Sequence, residues 1–104
     1  MRPDKVLSPL GLSQRAGAVG SGEFMTETSL KEGKSYLVIV ANDSSDNTKK
    51  HFKDMCAYRS IPYREYADKE SLGHAIGKEF RASLSVNNEN LAKEILVKID
   101  GGSN

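Results

Sequence analysis

The sequence predicts an α/β domain in which a sheet is sandwiched between helix layers. Two observations carry this. Tyr36-Leu37-Val38-Ile39-Val40-Ala41 is a six-residue apolar run in an otherwise polar chain, and three of the six are β-branched. A run without polar alternation reads as a strand buried on both faces, which requires covering elements on both sides. The second observation is alternation: helical and extended patterns follow one another as α, β, α, β, α, β, α, β, α, the order of a layered α/β fold.

At 104 residues the chain has the size of one domain. We assign residues 1–5 to a mobile N-terminal arm, 6–99 to the domain and 100–104 to a mobile C-terminal tail. Fifteen basic and 14 acidic residues leave a net charge of +1, which argues against a general polyanion binder but permits a small local patch. The single Cys56 excludes an intramolecular disulfide framework and a cysteine-based zinc cluster. No apolar run approaches the ~18 residues of a membrane span and no signal-peptide pattern is present, so we expect a cytoplasmic protein with no membrane partner.

The elements follow in order. Val6, Leu7, Leu10 and Gln14 have helical spacing, and Ser8-Pro9 reads as a cap and first helical residue of a helix ending near Arg15. A helix starting earlier should be kinked by Pro9. The stretch from Ala16 to Gly22 is small and glycine-rich, and Val19 begins a short strand. Glu23 to Glu32 reads as a helix ended by Gly33, with Ser21 as its cap and Phe24, Met25 and Leu30 as its apolar residues. After the central strand, Ser44 or Ser45 caps a helix to about Tyr58, with Phe52, Met55 and Cys56 inward. Ile61-Pro62 breaks the chain and Tyr63 to Tyr66 forms a strand. Asp68 caps a helix with Leu72, Ala75 and Ile76 on one face, ended by Gly77. Ala82 to Val86 is a strand. Asn87 or Asn88 caps a last helix with Leu91, Ile95, Leu96 and Ile99 inward.

An enzymatic reading finds little support. Cys56 with His51 or His74 would be a nucleophile and base, but Cys56 lies on an apolar stripe and reads as a small buried hydrophobe. His51 and His74 lack metal-ligand spacing. Asp43 and Asp46 follow the central strand, where α/β sites often lie, but helix capping accounts for them equally well. We assign no catalytic residue, no metal ligand and no cofactor.

Two glycine-bearing loops are the better candidates. In Gly20-Ser21-Gly22-Glu23 the backbone N–H groups of a helix start can meet phosphate or base edges. A glutamate there repels phosphate but accepts hydrogen bonds from base amino and imino groups. A plain turn, with Glu23 favourable to the helix dipole, explains the same residues. In Ile76-Gly77-Lys78-Glu79-Phe80-Arg81, exposed Ile76 and Phe80 would support an unstacked base while Lys78 and Arg81 hold the backbone. An ordinary helix-to-strand connection with snorkelling charges is the alternative.

Five short motifs stand in register: Leu10-Gly11-Leu12-Ser13-Gln14-Arg15-Ala16-Gly17, Ser21-Gly22-Glu23, Lys34 to Ala41, Asn47-Thr48-Lys49-Lys50 and Leu72-Gly73-His74-Ala75-Ile76-Gly77-Lys78. Together they resemble the bacterial YlxQ-type ribosomal-protein-like family. That family is a branch of a superfamily of kink-turn-binding large-subunit ribosomal proteins and box C/D core proteins. The resemblance spans roughly residues 6–97. It implies a three-layer α/β/α sandwich around a four-stranded mixed sheet. It also implies binding to kink-turn RNA, in which a bulge beside tandem sheared G·A pairs bends the duplex. The resemblance places Gly22 and Glu23 in the widened groove, with Glu23 accepting from guanine, and packs Ile76, Gly77, Lys78 and their neighbours to Arg81 against the extruded nucleotide. Many relatives carry Asn where Gly22 stands, and close relatives often carry Lys in place of Ala18 and of one residue of Glu27-Thr28, so weaker phosphate contact is implied.

The expected partner is therefore structured RNA, ribosomal or from a messenger leader, with no DNA and a monomeric protein. A rival reading is a ribosome- or factor-associated interaction module that has lost most of its RNA contacts.

Overall fold

Strand β2 (Leu37–Val40) divides the core in two. Its four residues and the following Ala41 have no exposed surface. Because side chains alternate across a strand, Leu37, Ile39 and Ala41 enter one apolar cluster while Val38 and Val40 enter the other. Tyr36, the first residue of the apolar run, lies outside the strand and is exposed. The computed structural model describes residues 4–101; the outer parts of the expected arm and tail, residues 1–3 and 102–104, lie outside the described residues.

Strands β1 (Val19–Ser21), β3 (Tyr63–Glu65) and β4 (Ser83–Val86) join β2 in a four-stranded sheet of order β1-β4-β2-β3. β4 is antiparallel to both β1 and β2, and β2 runs parallel to β3. The sheet is mixed, as expected. Helices α1 (Leu7–Arg15), α4 (Lys69–Ala75) and α5 (Glu89–Gly101) contribute Leu10, Leu72, Ala92 and Ile95 to one cluster; α2 (Glu23–Lys31) and α3 (Asp46–Arg59) contribute Leu30, Phe52 and Cys56 to the other. These are the three layers. Among the described residues no helix is long and apolar enough to cross a membrane.

Most helix starts are capped where the chemistry predicts. The Ser45 hydroxyl accepts from the Thr48 amide, the Asp68 carboxylate from Ser71 and the Asn88 side chain from Leu91. Three expectations change. Helix α1 is capped not at Ser8 but by Asp4, whose carboxylate accepts from the amides of Val6 at 2.7 Å and Leu7 at 3.0 Å. Pro9 is thus the third residue of α1, within the first turn, where few amides have intrahelical partners. Ser21 does not cap α2; it belongs to β1, and Gly22 occupies the cap position with no side-chain bond. Helix α5 runs on to Gly101, and its Asp100, expected in the tail, accepts two 2.7 Å hydrogen bonds from the Arg64 guanidinium.

β4 has two unlike faces. Leu84 and Val86 enter the apolar cluster under α1, α4 and α5. Ser83 and Ser85, equally buried, point to the opposite layer and form hydrogen bonds. Ser85 donates to Ser35 at 2.7 Å, Asn87 donates to Ser29 at 3.0 Å, and the Ser83 and Thr26 hydroxyls lie 3.2 Å apart. The contact between β4 and α2 is therefore a polar seam, and its hydroxyls all find partners.

Candidate functional site

One rim of the sheet collects the polar loops. The register sets Ser21 opposite Leu84 and Val40 opposite Ser83, so the end of β1, the end of β2 and the start of β4 lie together. The ladder continues past the strands: the Gly22 amide donates to the Ser83 carbonyl at 2.9 Å and the Ala41 amide to Ala82 at 2.9 Å. The turn into α2 and the loop from α4 to β4 consequently share this rim.

Side chains close the join. Arg81 donates from Nε to the Ser21 hydroxyl at 3.2 Å, across 60 residues of sequence, and from Nη1 to the Phe80 carbonyl at 2.8 Å. From within, the Thr26 hydroxyl donates to the Gly22 carbonyl at 2.7 Å. Gly22 has φ +89° and ψ 165°, a region that is essentially glycine's alone. That backbone delivers Glu23 to the first position of α2, exposed and favourably placed at the positive end of the helix.

The predicted residues separate into surface and support. Glu23, Gly77, Lys78, Glu79 and Phe80 are exposed; Ser21, Gly22 and Arg81 are half-buried. Gly20 is buried in the middle of β1. Ile76, expected to offer an exposed apolar surface, is 4% exposed and belongs to the core under α1, α4 and α5. It faces inward because it ends α4 on the same side as Leu72. Phe80 is 65% exposed and keeps the apolar role. The loop lies tightly on α4: a Cβ at Gly73 would sit 1.2 Å from the Glu79 carbonyl oxygen, so no larger residue fits at Gly73 with the loop in place. Open clefts follow it, one of about 640 Å³ lined by His74, Gly77, Lys78, Glu79 and Arg81. Among the described residues, neither Glu23 nor Lys78 has an ion-pair partner.

Glu23 also lines a groove of about 480 Å³ with Asn47, Thr48, Lys50, His51 and Asp54 of α3. Sequence reading did not place this wall in the site. Asn47, Lys50, His51 and Asp54 recur at i, i+3, i+4, i+7, opposite the inward stripe of α3, and that polar periodicity was the available signal. His51 Nε2 and the Glu27 carboxylate share a 2.5 Å hydrogen bond, and Lys50 pairs with Asp54 at 2.7 Å. Ligand atoms of Glu23, Glu27 and His51 lie within 4.8 Å of one another, a juxtaposition across two helices that linear spacing could not reveal. All three are open to solvent to some degree, and Glu27 already engages His51 and, at 3.9 Å, Lys31. Phe24, expected as an apolar residue of α2, is 76% exposed beside Glu23.

The enzymatic reading loses its groups. Burial pushes the Cys56 thiol up to about 11, with Arg59 only partly opposing, so little nucleophilic thiolate forms near neutrality. The Asp43 carboxylate accepts from the Lys69 amide at 2.9 Å, serving the start of α4.

Residues 4–97 match the ribosomal protein L7Ae/L30e/S12e/Gadd45 family. The chain belongs to that family. It is 34% identical over 91 residues to a Bacillus subtilis protein named RNA-binding protein YlxQ, covering 88% of this chain and 91% of that one. A Bacillus halodurans structure, described as of a protein with unknown function, superposes with a TM-score of 0.91 at 33% identity, over 94% of this chain and 99% of the other. The Giardia lamblia 15.5kD RNA binding protein superposes with a TM-score of 0.79 at 23% identity, over 92% of this chain and 85% of its own, a likeness of fold.

Proposed function

We propose that this L7Ae-family chain is a non-catalytic, ribosomal-protein-like RNA-binding protein of the cytoplasm, acting as a monomer, and that it recognises kink-turn RNA. The observation that carries the finer reading is the bond from Arg81 to Ser21, which joins the two glycine-bearing loops into one rim. Kink-turn RNA offers what that rim lacks. Sheared G·A pairs expose guanine imino and amino donors, and Glu23 is an exposed carboxylate without an ion-pair partner, an acceptor for both. Lys78 supplies a cation for phosphate, and Phe80 an apolar face for an extruded base. Stacking of that kind contributes about 1–3 kcal/mol per base. With Ile76 and Gly20 buried, the contact surface narrows to Gly22, Glu23, Gly77, Lys78, Glu79 and Phe80, with Ser21 and Arg81 at its junction. Ribosomal RNA and a messenger leader are both compatible sources of such a motif.

Gel-shift titration of a kink-turn RNA against the same RNA with its G·A pairs replaced by Watson–Crick pairs tests the reading. Preferential binding of the kink-turn is expected, and equal affinity rejects it. Glu23→Ala should weaken kink-turn binding by about 1–3 kcal/mol while leaving thermal stability in place; unchanged affinity removes Glu23 from the interface.

A second reading, a ribosome- or factor-associated module with weakened RNA contacts, is favoured by the groove beside Glu23. There Asp54 pairs with Lys50 and Glu27 engages His51, and the whole chain carries only +1. It requires co-sedimentation with ribosomes that survives salt strong enough to strip phosphate contacts.

A further inference from the structure

We infer that Arg81 is a positioning residue that locks the two loops of the rim in register, and that it is not a phosphate contact; this rests on the kink-turn reading above. A cation in a loop of this composition would ordinarily be assigned to the RNA backbone, as Lys78 is. The two side chains differ in kind. Lys78 is exposed, whereas Arg81 is half-buried. Among the described residues Arg81 has no carboxylate partner, so its guanidinium is not held by charge neutralisation. Its Nε donates to the Ser21 hydroxyl and its Nη1 to the Phe80 carbonyl, so two of the three guanidinium nitrogens are turned to protein.

What the fork holds is the part of each loop that matters. The Arg81 amide donates to the Lys69 carbonyl at 3.0 Å, anchoring the loop to the start of α4. Ser21 pairs with Leu84, and the next amide, Gly22, reaches the Ser83 carbonyl. A shift of Ser21 is therefore passed directly to Gly22 and Glu23. Phe80, the exposed aromatic, is fixed from the other side by the bond to its carbonyl. One side chain thus sets the spacing between the guanine acceptor and the aromatic face. Lysine cannot substitute, because a single ammonium on a flexible stem lacks the rigid two-point fork.

The test combines salt-dependent RNA titration with amide hydrogen exchange on the free protein, for the wild type and the Arg81→Lys, Arg81→Ala, Ser21→Ala, Ser21→Ala/Arg81→Ala and Lys78→Ala proteins. Arg81→Ala and Arg81→Lys are expected to weaken kink-turn binding alike, by about tenfold. The slope of log affinity against log salt should stay at the wild-type value, and the double variant should be no weaker than Arg81→Ala. Lys78→Ala should instead reduce the slope by about one. In the free protein, exchange at the Gly22 amide should quicken in both Arg81 variants, with the melting midpoint little changed. Wild-type affinity in Arg81→Lys together with a reduced slope in Arg81→Ala would make Arg81 a phosphate contact and overturn the inference, as would additive losses in the double variant. Should the wild type bind kink-turn and control RNA equally, the kink-turn reading falls and the recognition role of Arg81 with it. The exchange measurement then still decides whether the lock exists: quickened exchange upholds it, and unchanged exchange rejects it.

Discussion

The two helix layers hold the same sheet by different chemistry. Under α1, α4 and α5 the contact is aliphatic: Leu10, Leu37, Ile39, Leu72, Leu84, Val86 and Ile95 have no exposed surface, and their side chains carry no group that bonds directionally. On the other face, Val38, Val40, Phe52 and Cys56 make a smaller apolar cluster with Leu30 of α2, while α2 also meets β4 through the Thr26 and Ser83 hydroxyls and through Asn87, which bonds both Ser29 and Ser85. Apolar burial stabilises in proportion to area and has no preferred direction. Hydrogen bonds tolerate little change in distance or angle. The helix that presents Glu23 is thus seated on the sheet partly by buried directed bonds. The aliphatic layer supplies stability, and the polar seam supplies placement.

The largest effect should come from the aliphatic layer. Ile39→Ala empties a fully buried site on the central strand and should cost about 2–5 kcal/mol in chemical denaturation. RNA affinity of the protein that remains folded should hardly change. Next comes the seam. Thr26→Val keeps shape but leaves the buried Ser83 hydroxyl without that partner, at about 1–3 kcal/mol. Adding Ser83→Ala removes the orphaned group, so stability should return most of the way. If the seam sets placement, the double variant should regain stability and still bind kink-turn RNA more weakly than wild type. Full recovery of both would erase the distinction between the layers. Gly22→Ala follows: space is open around the residue, but its backbone angles are not, and strain of about 1–3 kcal/mol is expected in thermal or chemical melts.

What was legible in the sequence follows the same division. The apolar core could be read because its signal is local: the unbroken apolar run over Leu37–Val40, and the helical stripes of Phe52 and Cys56 or Leu91 and Ile95. The caps at Ser45, Asp68 and Asn88 are local too, each reaching an amide three residues on. The misreadings all required distant partners or a competing local signal. Ser21 looks like a cap until the Ser83 carbonyl takes the Gly22 amide and draws residue 21 into the sheet. Ile76 carries two competing local signals, the apolar face it shares with Leu72 and its place beside Gly77 and Lys78, and the packing of α4 decides for the first. The wall formed by Asn47, Lys50 and His51 beside Glu23 depends on α2 and α3 lying side by side. Directed contacts between remote elements leave little trace in linear spacing, and the candidate site is built from them.

A directed contact inside the aliphatic layer gives the smallest and sharpest check. Asp4 caps α1 and accepts at 2.9 Å from the Tyr66 hydroxyl, 62 residues away. Burial raises the Asp4 pKa, but the Leu7 and Val6 amides and the Tyr66 hydroxyl outweigh it, and the net shift is below the ordinary 3.8. A carboxylate whose pKa is depressed on folding stabilises above its unfolded pKa and loses that contribution as pH falls through the folded one. Asp4→Ala should therefore cost about 1 kcal/mol near neutrality. The gap between variant and wild type should close progressively as the pH is lowered below 3.8, read as the difference between paired thermal melts, which cancels the parallel losses at Asp68 and Asp100. Kink-turn affinity at neutral pH should be unchanged, because Asp4 and Tyr66 tie α1 to the end of β3 and touch neither loop of the rim. A gap that persists into acid would mean that Asp4 acts by packing; a loss of RNA affinity would mean that placement is shared by both layers rather than confined to the seam.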